Sequence, residues 1–334
     1  MKKKYETFIG IDVSKTKLDY CIFHLSDLKL AKFGIIDNNA KSITKFINSI
    51  KKQCSSQVLF CFENTGVYGM PLSYWLQEKE MDFWVVSALE IKRSKGISRG
   101  KSDKADAKDI AYYALTHLHQ LQLTKLPQNN FVELRLLLAE REKLMKSIAI
   151  FSTTNENKNF LPKELLQSVL NHNSKTLILL KKQLQAIDKL IGHMINNNDV
   201  FKQQDELLQS IPGIGKQTSV ILIAYTQAFT LFKTHRQFAC YAGVAPFEYS
   251  SGSSVRGRTK VSQLANKKLK ASLNMAALTA KKFDPQLKQY FDRKVAEGKN
   301  KMLVMNAIRC KLISRAFAVI GRNSKFVNTH KAVA

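Results

Sequence analysis

Residues 5 to 37 set three strand-like runs one after another, YETFIGIDV, KLDYCIFHL and LAKFGII, with only short polar turns such as SKT between them. Turns that short leave no room for a crossover helix, so the runs are expected to pair as an antiparallel meander. The pattern then alternates. NAKSITKFINSIKKQC carries apolar residues at helical spacing and VLFCFE reads as a buried strand. GMPLSYWLQEKE reads as a helix and FWVVS as a strand, and a basic loop, KRSKGISRGKS, leads into a last helix, KSDKADAKDIAYYAL. A meander followed by alternating helices and strands makes a mixed sheet flanked by helices.

That element order is the one of ribonuclease-H-like folds, and it is expected over residues 1–125. From about Asn129 to Asp199 the chain changes to long helical periodicity, with no glycine between Phe131 and Ile191. FVELRLLLAEREKLMKSIAIF and KTLILLKKQLQAIDKLIGHMI predict two long antiparallel helices, broken near Leu161 and Pro162. Such a coiled-coil arm, residues 126–203, suits dimerisation or nucleic-acid binding, a plain helical linker being the alternative. Residues 204–334 form a third region that opens on LLQSIPGIGKQTSVILIA, two amphipathic helices joined by a tight glycine turn. The fold class is therefore α/β followed by all-α.

Charge narrows the partners. The chain holds 53 Lys and Arg against 26 Asp and Glu, a net charge of +27, which calls for a polyanion, nucleic acid by default. Residues 251–334 carry 19 Lys/Arg against three acids (Asp284, Asp292 and Glu297), a surplus of 16, so phosphate contact is expected to concentrate there. The five cysteines are scattered, without a C-x-x-C pair, as expected of reduced core thiols in a cytoplasmic protein. The basic start MKKKYETFIGIDV turns into a strand within a few residues, so neither a secretory signal nor a membrane span is expected. His117 and His119, two apart, point to different helix faces and make a poor ligand pair.

Within FIGIDV, period-two alternation puts Phe8, Gly10 and Asp12 on one face and Ile9, Ile11 and Val13 on the other. A carboxylate on so apolar a strand needs a cation or a hydrogen-bond network. In VLFCFENTG the same arithmetic puts Leu59, Cys61 and Glu63 on one face, with Glu63 at the strand end. The last helix adds Asp103, Asp106 and Asp109 at spacings of three. Acids in a first turn also complement the helix dipole, with Ser102 as N-cap. Residues at i and i+3 share a face, however, so Asp103 and Asp106 can both offer oxygens to a hard cation, leaving Asp109 as a helix-surface acid. Asp12, Glu63, Asp103 and Asp106 together can bind two divalent ions roughly 3.5–4 Å apart, the arrangement that activates one oxygen and stabilises another at phosphorus. Mg²⁺ suits all-oxygen ligands, with Mn²⁺ able to substitute.

IPGIGKQTSVILIA looks like a helix-hairpin-helix in which Gly213 and Gly215 bring backbone N–H groups to a phosphate and Lys216 adds charge. An ordinary helix–helix turn that uses glycine is the alternative. Downstream, SSGSS followed by Arg256, Arg258 and Lys260 reads by itself as a flexible phosphate-binding loop.

Three blocks, GIDVSK, ENTG and KSDKADAKDIA, together with GVAPFEYSSG, resemble those of the DEDD insertion-sequence transposases, the "IS one-ten" family of bridge-RNA-guided recombinases. The resemblance covers nearly the whole chain. It implies a RuvC-like N-terminal domain whose metal acids are Asp12, Glu63, Asp103 and Asp106, and a C-terminal transposase domain that opens on the helix-hairpin-helix. It also implies a serine nucleophile, Ser251, with Ser250 as the register alternative, beside Arg256, Arg258 and Lys260. Ser253 stands where the family more often has glycine. A serine ester conserves the phosphodiester energy for rejoining, which two-metal hydrolysis does not. The implied partners are donor and target double-stranded DNA, a noncoding guide RNA and further copies of the chain, with the two domains of one centre drawn from different protomers. The rival readings are a RuvC-like, junction-resolving nuclease that hydrolyses with the four acids alone, and a non-enzymatic nucleic-acid binder.

Overall fold

A computed structural model describes residues 5–54, 57–94, 102–153, 162–251, 255–261 and 265–328. Contacts divide the chain into two compact units, Met1–Leu126 and Pro127–Ala334.

The first unit is built on a five-stranded sheet. β1 (Thr7–Val13), β2 (Lys17–His24) and β3 (Asp27–Asp37) form the expected antiparallel meander, and β4 (Val58–Glu63) and β5 (Asp82–Val86) run parallel to β1, in the order β3-β2-β1-β4-β5. The parallel strands are linked through α1 (Ala40–Gln53) and α2 (Met70–Glu78). α1 is capped by the Asn39 side chain, which accepts from the Ser42 N–H at 2.9 Å, and buries Ile43, Phe46, Ile47 and Ile50. After β5 come α3 (Ala88–Ser94) and α4 (Asp103–Thr116). The basic segment read as a loop is thus helical through Lys92 to Ser94, and its residues 95–101 lie outside the described ones.

Alternation sorts the core into two layers. Ile9, Ile11, Val13, Phe60 and Phe62 pack on the α1/α2 side, while Phe8, Leu59 and Cys61 pack with Ala107, Ile110, Ala111 and Ala114 of α4. Gly10 permits the second layer to close. A Cβ there would lie 2.2 Å from the Ala111 backbone nitrogen and 2.3 Å from the Ala107 carbonyl oxygen, so α4 rests directly on the β1 backbone.

In the second unit, α5 (Asn129–Thr153) and α6 (Lys163–Asn196) pair antiparallel, and Arg141 Nε donates to Asp188 Oδ1 at 2.7 Å between them. Pro162 is the N-cap of α6, and residues 154–161, with the expected break at Leu161, lie outside the described ones. The start of α5 and the end of α6 bury Phe131, Leu134, Leu138, Ile191 and Ile195 in one core with the later helices. Those are α7 (Asp199–Gln209), α8 (Lys216–Thr226), α9 (His235–Tyr241), α10 (Lys267–Phe283), α11 (Pro285–Ala296) and α12 (Lys301–Arg322). Between α9 and α10 the chain forms a hairpin of β6 (Pro246–Ser251) and β7 (Val255–Val261). The serine segment expected to be a flexible loop is therefore largely strand, its ends tied by a ladder. Among the described residues no helix is long and apolar enough to cross a membrane.

Candidate active site

The carboxylates meet at the C-terminal end of β1. Asp12 is the next-to-last residue of that strand and is half-buried. β4 runs alongside in parallel, pairing Gly10 with Cys61 and Ile11 with Phe62, so Glu63 ends β4 beside Asp12 and on the same face. α4 crosses that face above Gly10, and its first turn carries Asp103 and Asp106 just ahead of the buried Ala107. Ser102 caps the helix, its Oγ accepting from the Ala105 N–H at 3.2 Å. These acids thus complement a helix N-terminus and also approach a strand acid.

The electrostatics record that convergence. Burial, and then the negative charges of Asp106, Asp103, Glu63 and Asp19, push the Asp12 carboxyl up from 3.8 to about 6. Glu63, Asp103 and Asp106 thus each lie within electrostatic reach of Asp12, while Asp109 sits half-buried one turn further along α4.

Sequence reading missed Asp19 and Lys17. Asp19 lies on β2 directly opposite Asp12 in the antiparallel register, and it is 5% exposed. One carboxylate oxygen from each of Asp12, Asp19 and Asp103 falls within 4.8 Å of the other two. Lys17 Nζ sits 2.7 Å from Asp103 Oδ2 and 3.1 Å from Asp19 Oδ2. The signal was available in the sequence: the SKT turn pairs Val13 with Leu18, which forces Asp12 opposite Asp19.

The other predicted residues belong to the second unit. Gly213 has φ +98°, and a Cβ there would lie 2.5 Å from the Ala280 Cβ, so this glycine serves the packing of α10 as well as the turn. Gly215 is the N-cap of α8, and both it and Lys216 are exposed. The two hairpin helices are further joined by Ser219, whose hydroxyl donates to Asp205. In the β6–β7 ladder Ser250 stands opposite Arg256 and Ser251 opposite Val255, with an irregularity between Phe247 and Tyr249 before Lys260 is reached. Arg258 lies within β7; Gly252 and Ser253 lie outside the described residues.

Comparison with known proteins places this architecture. A DEDD transposase family profile matches residues 9–177, and the profile of the transposase IS116/IS110/IS902 family matches residues 205–292. The chain belongs to the IS110 family of transposases. It is 28% identical over 326 residues to the pilin gene-inverting protein of Moraxella bovis, covering 96% of this chain and 98% of that one. An uncharacterized 43.6 kDa protein of insertion element IS110 from Streptomyces coelicolor is 28% identical over 155 residues, 46% of this chain and 37% of that one. Among solved structures, T. thermophilus RuvC in complex with a Holliday junction substrate aligns with a TM-score of 0.29 and 11% identity, covering 36% of this chain and all of that one. As an IS110-family transposase the protein is a DNA-processing enzyme.

Membership implies a divalent metal, and the donor set fits one. All the converging groups are hard carboxylate oxygens. Burial, and then the neighbouring negative charges, hold a proton on Asp12 to unusually high pH, and a lysine ammonium already lies against two of the acids, as a cation would.

Proposed function

We propose that this IS110-family transposase is a site-specific recombinase of a mobile insertion sequence, cutting and rejoining DNA through an acid centre and a serine nucleophile. The observation that carries the reading is the meeting of acids from β1, β4 and α4 at one strand end. Asp12, Glu63, Asp103 and Asp106 would hold Mg²⁺, two ions in the full site. Bound there, divalent ions lower the barrier to attack at phosphorus by activating one oxygen and neutralising charge on another. The chain's own part is to fix the four carboxylates on rigid elements. Gly10 sets the depth of α4 and the β1–β4 register sets Glu63.

Ser251 is the proposed nucleophile. Its hydroxyl attacks the scissile phosphorus, the 3′ or 5′ oxygen leaves with a proton, and a serine phosphodiester preserves the bond energy for rejoining. Arg256, Arg258 and Lys260 on the partner strand would neutralise the phosphate, and Gly215 and Lys216 at the start of α8 would hold flanking backbone. A relative named for inverting a gene supports rejoining over hydrolysis, because inversion requires that cut ends be sealed in a new order. A noncoding bridge RNA choosing donor and target, and a homo-oligomer built through the helical arm of residues 126–203, complete the reading. The net charge of +27 supports two nucleic-acid partners.

A denaturing gel with labelled donor DNA and divalent metal tests this. Wild type is expected to form a slow-migrating covalent species that Ser251→Ala loses together with strand exchange, while DNA binding persists. Loss in Ser250→Ala alone moves the nucleophile by one residue. Free cleaved ends in equal yield from all three proteins, without adduct, would replace the recombinase by a hydrolytic nuclease. Asp12→Asn and Asp106→Asn are each expected to abolish cleavage with binding intact.

A further inference from the structure

The four-acid reading leaves one buried carboxylate unused. Asp19 faces Asp12 across the β1–β2 ladder, on the side covered by α4, at 5% exposure. Like charges directly opposite on neighbouring strands repel, and burial raises the cost further. Asp19 Oδ2 is buried and lacks a well-aligned hydrogen bond; what faces it is the Lys17 ammonium, in an ion pair at 3.1 Å. The same ammonium donates to Asp103 Oδ2 at 2.7 Å, so it bridges β2 to the first turn of α4. Lys17, Asp19 and Asp12 share one face of the sheet by strand alternation and register. The Lys17 side chain is 40% exposed, so its stem has a way out to solvent.

We infer that Asp19 is a fifth carboxylate of the acid centre and that Lys17 is its tethered cation. Without divalent metal the ammonium neutralises Asp19 and Asp103 and keeps β2 and α4 together. A divalent ion held by Asp12, Asp19 and Asp103 displaces it into solvent. The inference rests on the reading of these acids as a metal site. It makes Lys17 a positioning residue that protects an otherwise self-repelling cluster and sets the metal concentration at which the site fills. Affinity for the ion is reduced by the fraction of molecules in which Lys17 is withdrawn, so a lysine in place nine-tenths of the time lowers it about tenfold.

The test is titration of the full-length protein with Mn²⁺ alone, followed by calorimetry and by the spin-resonance signal of free Mn²⁺, with melting temperature recorded in chelator. Lys17→Met keeps the stem and removes the charge. It is expected to bind Mn²⁺ about tenfold more tightly and to melt at a lower temperature in chelator, the deficit closing when Mn²⁺ is added. Asp19→Asn is expected to bind Mn²⁺ more weakly than wild type. Lys15→Met removes the same charge from an exposed neighbour and controls for long-range electrostatics. If Lys15→Met tightens binding as much as Lys17→Met, or if Lys17→Met leaves both affinity and melting unchanged, the tethered-cation inference is overturned. Asp12→Asn separates the two levels. Undiminished Mn²⁺ binding by Asp12→Asn would overturn the metal-site reading itself, whereas its loss together with an inert Lys17→Met would overturn this inference alone.

Discussion

Gly10→Ala adds one methyl group in the middle of β1 and is expected to disturb the acid centre without touching an acid. The new Cβ would meet the Ala111 nitrogen at 2.2 Å and the Ala107 oxygen at 2.3 Å, and both are backbone atoms that no rotamer change can move. Restoring an ordinary contact of 3.4 Å requires α4 to withdraw by about 1.2 Å along that direction. Overpacking of this kind costs about 1–3 kcal/mol, and the upper end applies because a whole helix has to shift. At roughly 2–4 °C per kcal/mol for a chain of this size class, the unit should melt about 10 °C lower. The functional effect follows from the same displacement. Metal–ligand distances tolerate about 0.2 Å, so moving Asp103 and Asp106 by several times that amount relative to Asp12 should cost tenfold or more in Mn²⁺ affinity. Differential scanning calorimetry in chelator and in Mn²⁺, with isothermal titration, measures both. Gly321→Ala in α12, where an added Cβ meets nothing within 4 Å, serves as the control: it should leave Mn²⁺ affinity unchanged and should not lower the melting temperature. A Gly10→Ala protein that melts within about 2 °C of wild type and binds Mn²⁺ equally well would refute the argument that α4 positions its acids by resting on β1.

Two further expectations concern stability. The Asp12 carboxyl is raised from 3.8 to about 6, so the native state keeps a proton that the unfolded chain releases, and stability in chelator should fall as pH rises from about 4 through about 6. The full shift corresponds to about 3 kcal/mol, which solvent screening of a half-exposed group reduces to about 1–2. Urea midpoints for wild type and Asp12→Asn check this, and equal slopes across that window would contradict it. In the second unit Asp284 is fully buried, accepts from Arg315 Nη1 at 2.5 Å and caps α11 by accepting from the Leu287 N–H at 3.1 Å. Asp284→Asn should therefore cost about 3–5 kcal/mol, because it strands a guanidinium that is only 14% exposed. A denaturation midpoint close to wild type would show that Gln286, whose Oε1 accepts from Arg315 Nη2 at 2.7 Å, suffices.

What the sequence determined by itself was the order of elements and the faces of its strands. Period-two alternation in FIGIDV and VLFCFE grouped Asp12 with Phe8 and Gly10, and Glu63 with Leu59 and Cys61, on one face of each strand, and the capping serine with spacing-of-three aspartates placed Asp103 and Asp106 in a helix's first turn, because both signals are local and repeat with the backbone. The β1–β4 register then put the two strand acids on one side of the sheet. The meander's tight turns carried the strand pairing as well. Other features were decided only by tertiary structure. The depth at which α4 sits is set by an atom that Gly10 lacks, and absence of a side chain has no periodicity to read. The SKT turn already sets Asp19 in KLDY opposite Asp12, but only α4 closing over that face makes it a buried acid. Lys17 reads as one cation among many until the fold lays it against Asp19 and Asp103. The serine segment, polar and glycine-bearing, has loop composition, yet its flanks pair as β6 and β7, since hydrogen bonding across a hairpin overrides local preference. Charge–charge repulsion and desolvation act through space, so the cluster's need for a cation becomes legible only once the chain has brought its carboxylates together.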